Sequence, residues 1–162
     1  MAGMLVGKVA VVTGGGSGMG AAAARALAHE GARVVVADLN EQAAQAVAGA
    51  ITTGGGDALA VQADVSRQPD VQRLVKTAVE RFGTVDILAC IAGILRTSKV
   101  DQITEDEWDL VLNVNLKGVF LCAQAVRPVM RAQHAGKIVI LASLAGRATS
   151  TLGGATCSIA LR

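Results

Sequence analysis

Five short, almost wholly apolar runs are spaced along the chain, with helix-period segments between them. They are Lys8–Thr13, Arg33–Ala37, Ala58–Gln62, Asp86–Ile91 and Lys137–Ala142. A strand with one wet face alternates apolar and polar residues, whereas a strand covered on both faces is apolar throughout. The runs therefore read as strands of a parallel sheet held between two layers of helix. The intervening segments carry the matching signature. Val71, Leu74, Val75, Ala78, Val79 and Phe82 fall at offsets 0, 3, 4, 7, 8 and 11, one apolar stripe along a helix. Thr104 with Glu107 three positions on reads as a capping box. Gly31, just past Ala21–Glu30, reads as the residue that stops the first helix. The alternation specifies an α/β fold with a doubly wound parallel sheet.

Composition agrees with one such domain. The chain has 162 residues, of which 52% are hydrophobic and 17% charged, enough apolar material for a core and too little charge for a disordered segment. A net charge of +2 is too small to point to nucleic acid or an anionic membrane as partner. The apolar run Val9–Val12 is too short for a secretory signal, and no stretch approaches 18 consecutive apolar residues. Cys90, Cys122 and Cys157 are odd in number and form no C-x-x-C pair, which fits reduced thiols in a cytoplasmic protein. His29 and His134 have no Cys or carboxylate at ligand spacing, so no metal site is expected. Neither repeats of solenoid length nor a linker break the chain. One α/β domain is expected over residues 1–155, followed by an atypical tail at 156–162.

The run Thr13-Gly14-Gly15-Gly16-Ser17-Gly18-Met19-Gly20 lies between the first strand and the first helix. Glycines there allow positive φ and close approach of backbone to a pyrophosphate. The helix N-terminus then offers free N–H groups and a partial positive charge. Glycines also make ordinary tight loops, and the nucleotide reading gains its weight from context: strand before, helix after, acid at the end of the next strand. That acid is Asp38, 18 positions beyond Gly20. A carboxylate there accepts hydrogen bonds from both hydroxyls of an adenosine ribose and repels a 2′-phosphate. No Arg or Lys in the glycine turn or directly after Asp38 offsets the repulsion, so NAD is favoured over NADP. The competing reading has Asp38 capping the next helix, a task for which Asn40 is equally placed. Asp64, after the third strand, either reaches the adenine edge or, like Ser66, caps the helix that follows.

The spacing Thr-Gly-x-x-x-Gly-x-Gly, with Asp38, Asp64-Val65 and the motifs below, resembles the short-chain dehydrogenase/reductase family over residues 5–155. The resemblance implies a Rossmann-type sheet whose five strands here take the order 3-2-1-4-5, with helices on both faces and the family's last two strands missing. It implies hydride transfer between a nicotinamide dinucleotide and a small alcohol or ketone. It assigns cofactor contacts to Gly14, Gly16, Ser17, Gly18, Met19 and Gly20 in the turn. Further contacts fall to Asp38, Leu39, Asp64, Val65, Ala92 and Gly93.

In that family Asn, Ser, Tyr and a Lys four residues past the Tyr share the chemistry. The Tyr acts as general acid and base, with its pKa lowered from about 10. Asn115, in Trp108-Asp-Leu-Val-Leu-Asn-Val-Asn-Leu-Lys-Gly-Val-Phe120, resembles the family's Asn. The residues reach the same position independently. Trp108, Val111, Leu112, Asn115, Val119, Cys122 and Val126 share one helical stripe on which Asn115 is the one polar member. A buried amide needs partners, so Asn115 is either functional or a satisfied core Asn; Asn113 falls off the stripe and is expected to face solvent. Ser143, ending the fifth strand, resembles the family's Ser, or else starts a turn.

The Tyr should stand at 156 or 157, where Thr156 and Cys157 occur, and the chain contains no Tyr. The Lys should stand at 160 or 161, occupied by Ala160 and Leu161. A Thr hydroxyl is too weak an acid for the task, and Cys157 reads as incidental. Cys90-Ile91-Ala92-Gly93 also stands where the family shows Asn-Asn-Ala-Gly, losing two structural amides. The expectation is a short-chain dehydrogenase truncated before its Tyr, binding NAD with little or no turnover. The alternatives are a non-catalytic nucleotide-binding or interaction module, and a fragment without function. With no sixth strand beside it, the apolar fifth strand leads to the expectation of a homo-oligomer or a marginally folded chain.

Overall fold

The computed structural model describes residues 3–143. Thr156, Cys157 and the 156–162 tail lie outside them. Five parallel strands form one sheet: β1 (Val9–Thr13), β2 (Arg33–Asp38), β3 (Ala58–Gln62), β4 (Ile87–Cys90) and β5 (Lys137–Ile140). Their order is β3-β2-β1-β4-β5, as the alternation and the resemblance implied. The helices are α1 (Gly18–His29), α2 (Glu41–Thr53), α3 (Gln68–Phe82), α4 (Glu105–Leu112) and α5 (Gly118–Ala132).

Side chains alternate across the sheet and fill two cores. On one face Val9, Val11, Val35, Leu88 and Cys90 pack against Val71, Leu74 and Phe82 of α3 and Leu121, Cys122 and Val126 of α5. On the other, Ala10, Val12, Val34, Val36 and Ala89 meet Ala21 and Ala24 of α1 and Ala44, Val47 and Ile51 of α2. All four residues Val9–Val12 have no exposed surface. Burial on both faces is why β1 shows no polar alternation.

The helix ends follow local rules with two corrections. Gly31 has φ +90, the left-handed stop expected after α1. Asn40 caps α2 by accepting from the Ala43 N–H, so Asp38 is free of that task. Neither Asp64 nor Ser66 caps α3, whose N-cap is Arg67, with Pro in the first turn. Thr104 caps α4, accepting from the Glu107 N–H at 3.2 Å. The reciprocal half of the expected capping box is missing, because Glu107 Oε2 accepts instead from the Ser98 hydroxyl at 2.8 Å.

Between α4 and α5 the chain makes one π turn, Asn113–Lys117. Helix 105–132 is therefore continuous, and by length and composition alone it is long and apolar enough to cross a bilayer. Its apolar stripe is covered here by the sheet and α3. Asn113, expected in solvent, is half-buried at the start of the π turn.

β5 differs from the other strands. It occupies one of the two sheet edges among the described residues, β3 being the other, and Ile138, Val139, Ile140 and Leu141 are 42–56% exposed. Regular pairing ends at Ile140, though the Leu141 N–H still donates to the Cys90 carbonyl.

Candidate functional site

The carboxyl ends of β1, β2, β3 and β4 open onto a cavity of about 670 Å³, within the range of small-molecule sites. Its floor is the turn from β1 into α1. Gly14 has φ +66, and a Cβ on it would lie 2.8 Å from Ala92 N and Cα. A Cβ on Gly20 would lie 1.9 Å from the Gly14 carbonyl oxygen. The turn is thus closed against β4 and against itself, in a way that only glycine permits at these two positions.

Ser17 precedes the first turn of α1 without capping it by its side chain, and that turn holds no acid. The N–H groups of the first turn therefore point outward with their dipole uncompensated. Met19 and Leu39, both lining the cavity, are 67% and 66% exposed. Two large apolar side chains open to water at the mouth of a cavity are a surface suited to a flat ring.

Asp38 joins the turn to the end of β2. Its Oδ2 accepts from the Gly16 N–H and its Oδ1 from the Asn40 N–H, each at 2.9 Å. It lines the cavity with Asp64, and among the described residues no lysine or arginine does. Asp64 Oδ1 accepts from both the N–H and the hydroxyl of Ser66, at 2.9 and 2.6 Å, and its own N–H donates to Asp70. The carboxylate thus closes its own loop beside the cavity. Val65 completes this wall, and α5 approaches it closely because Gly118 has no Cβ, which would lie 2.9 Å from Val65 Cγ2.

The fourth wall is the chain leaving β4. Ala92, Gly93 and Ile94 line the cavity, and two polar side chains hold them. Thr13 Oγ1 accepts from the Ile91 and Ala92 N–H groups at 3.1 and 3.3 Å and donates to the Ala89 carbonyl. Asn115 accepts from the Ile94 N–H through Oδ1 and donates to the Ile94 carbonyl through Nδ2, both at 2.9 Å. Its side chain is buried and sits in the π turn, a widening that recurs at functional sites. Thr13 was not singled out from sequence. Its signal was a hydroxyl ending an otherwise apolar buried run.

The structure brings together around one cavity every cofactor residue singled out from sequence except Gly16, which borders it through its bond to Asp38. Asn115 stands behind the wall. Ser143 lies three residues past β5, exposed, at the carboxyl end of the sheet and outside the cavity lining. Cys90 and Ile91, where two amides were expected to be lost, are a buried thiol and a backbone held by Thr13.

Comparison with known proteins gives one consistent result. A sequence model described as short chain dehydrogenase matches residues 8–157. The chain is 41% identical over 143 residues to a 3-oxoacyl-[acyl-carrier-protein] reductase of Synechocystis sp., covering 88% of this chain and 58% of that protein. It is 45% identical over 140 residues to the short-chain reductase protein NovJ of Streptomyces niveus, covering 86% and 53%. The solved structure of gox2181 superposes with a TM-score of 0.94 at 35% identity, over 97% of this chain and 62% of that one. A short-chain type dehydrogenase/reductase from Mycobacterium marinum gives 0.93 at 32% identity, over 97% and 64%. The chain thus spans under two-thirds of the length of each of these relatives.

Proposed function

The chain belongs to the short-chain dehydrogenase family, and from that premise we propose that it binds NAD as the cofactor half of an oxidoreductase site for an alcohol or ketone. The observation that carries this reading is Asp38, fixed at the end of β2 and facing the glycine turn in a cavity lined by no cation among the described residues. Its carboxylate is placed to exchange the Gly16 and Asn40 N–H groups for two ribose hydroxyls, and its charge opposes a 2′-phosphate. The first turn of α1 receives the pyrophosphate on its N–H groups. Met19 and Leu39 flank the adenine, with Asp64 and Val65 beyond it, while Ala92 and Gly93 leave room for the second ribose. When bound, the dinucleotide supplies the hydride acceptor or donor.

Asn115 acts as a positioning residue. It uses one donor and one acceptor site on Ile94, and an amide keeps one of each for a water. Ser143 is assigned the substrate oxygen by the resemblance. Proton transfer has no phenol to perform it, since the chain holds no tyrosine. Cofactor binding with background turnover is therefore the expected behaviour of these 162 residues, which also suits a nucleotide-binding module without catalysis.

Calorimetric titration tests the reading. NAD should bind more tightly than NADP, and Asp38→Ala should narrow the gap by weakening NAD and relieving NADP. Equal or tighter NADP binding by the unaltered chain would overturn it.

A further inference from the structure

Glu107 has two seats within reach and occupies one. From the first turn of α4 its Oε2 accepts from the Ser98 hydroxyl at 2.8 Å, while its Oε1 is buried with no hydrogen-bond partner among the described residues. The Thr104 N–H, which the second half of a capping box would engage, also makes no hydrogen bond among them. A buried carboxylate oxygen without a partner is destabilising. Turning to Thr104 gives up the Ser98 bond, gains a backbone bond and returns the buried oxygen to water. Each arrangement thus satisfies what the other leaves unpaired.

Ser98 is one end of a strap. The chain leaves the cavity wall at Ile94, which Asn115 holds by two hydrogen bonds, and is next tied to a helix by the Ser98 hydroxyl. Between these ties Leu95, Arg96 and Thr97 are exposed. Their one hydrogen bond among the described residues runs from Arg96 Nη1 to the Leu95 carbonyl. Release of Ser98 therefore frees the strap as far as Lys99, whose carbonyl accepts from the Gln102 N–H.

We propose that Glu107 is a two-position catch: on Ser98 it holds the strap 95–99 closed beside the cavity, and on the Thr104 N–H it lets the strap open. Opening gates the entry and release of the cofactor, a part that rests on the dinucleotide reading above.

Trypsin reads the strap directly, because Arg96 and Lys99 lie in it, and cleavage after Arg73 within α3 measures global unfolding. Relative to Arg73, Ser98→Ala should raise cleavage after Arg96 and Lys99 about tenfold or more, the factor for a lost bond to a charged group. Thr104→Pro removes the second seat without forcing the backbone, since Thr104 has φ −83 and Ile103 has ψ 122. It should slow strap cleavage several-fold relative to Thr104→Ala, which loses the same hydroxyl cap and keeps the N–H. Saturating NAD should slow strap cleavage in the unaltered chain. Strap cleavage unchanged by Ser98→Ala, equal in the two Thr104 variants, or unchanged by NAD that calorimetry shows to be bound would each overturn the proposal. If NAD does not bind, the cofactor reading falls, and the three variants alone decide the catch.

Discussion

An interior strand and an edge strand of the sheet are built from the same kind of residue and behave oppositely. β2 reads Arg-Val-Val-Val-Ala-Asp, and its four central residues are buried between β1, β3 and two helix layers. β5 reads Lys-Ile-Val-Ile, is at least as apolar, and is exposed at every position. Intrinsic preference does not separate them, because both are β-branched runs of high strand propensity. Neighbours do. β2 has a strand on each side and α1 and α2 above it, whereas β5 pairs with β4 alone among the described residues. An apolar run therefore records what a strand is made to be covered by, and only the fold shows whether the cover is there.

Turnover gives the largest effect, and it tests whether the well-built half suffices for chemistry. General acid–base catalysis contributes about 10²–10⁴-fold, and no tyrosine is present to supply it. NADH formation from simple secondary alcohols should stay at background even where NAD binds. Steady NADH production by homogeneous protein, lost on Ser143→Ala, would contradict this.

The next effect compares the strands directly. Leu88 in β4 is 1% exposed and Leu141 beyond β5 is 42%. Leu88→Ala should cost about 2–5 kcal/mol and Leu141→Ala less than about 1 kcal/mol in urea unfolding. An equal loss at the two would show that the β5 end is covered in solution. Covering by self-association is the expected case, since an apolar edge unpaired among the described residues invites it. Sedimentation at micromolar concentration should show species larger than a monomer, and Val139→Lys should shift them toward the monomer.

Most of this fold was legible in the sequence for a simple reason. Strands such as Val9–Thr13 are covered on both faces, so their pattern is a local consequence of a global position. The glycine turn was legible because Gly14 and Gly20 answer steric demands that no other residue meets. What escaped were choices among equivalent partners. Nothing in the spacing shows that Glu107 turns to Ser98 rather than closing the capping box, or that Asp64 ties to Ser66 while Arg67 begins α3. The π turn escaped too. Nothing in the residue pattern marks a widened turn at Asn113–Lys117, and the regular stripe that placed Asn115 in the core left in solvent an Asn113 that the structure half-buries.

Asn115 provides a smaller and more pointed test. Replacing it with Ala removes both of its bonds to Ile94, which should cost about 1–3 kcal/mol. If the residue positions the cavity wall, NAD affinity should fall further than urea stability accounts for, and Asn115→Asp should restore one of the two bonds. A variant that loses stability but binds NAD unchanged would make Asn115 a satisfied core amide and nothing more.

The smallest effects concern the helix caps, and they decide whether the contrast between the two halves is local. Asn40 caps α2 beside the cavity, accepting from Ala43 at 3.1 Å, and Thr104 caps α4, which leads through α5 to β5, accepting from Glu107 at 3.2 Å. Each satisfies one orphan N–H, and each helix carries acid in its first turn. Loss of either cap to Ala is worth about 0.5–2 kcal/mol. Glu107 gives the Thr104 cap no reciprocal support, and Asn40 has its N–H held by Asp38 whatever its side chain. Asn40→Ala and Thr104→Ala should therefore cost about the same in thermal unfolding. Equality would place the difference between the two halves in burial, where β2 and β5 part. A much larger loss at Thr104 would mean that α4 depends on its cap for want of packing, with Val111 as its one fully buried residue, and the weakness of that half would begin in the helix before it reaches the strand.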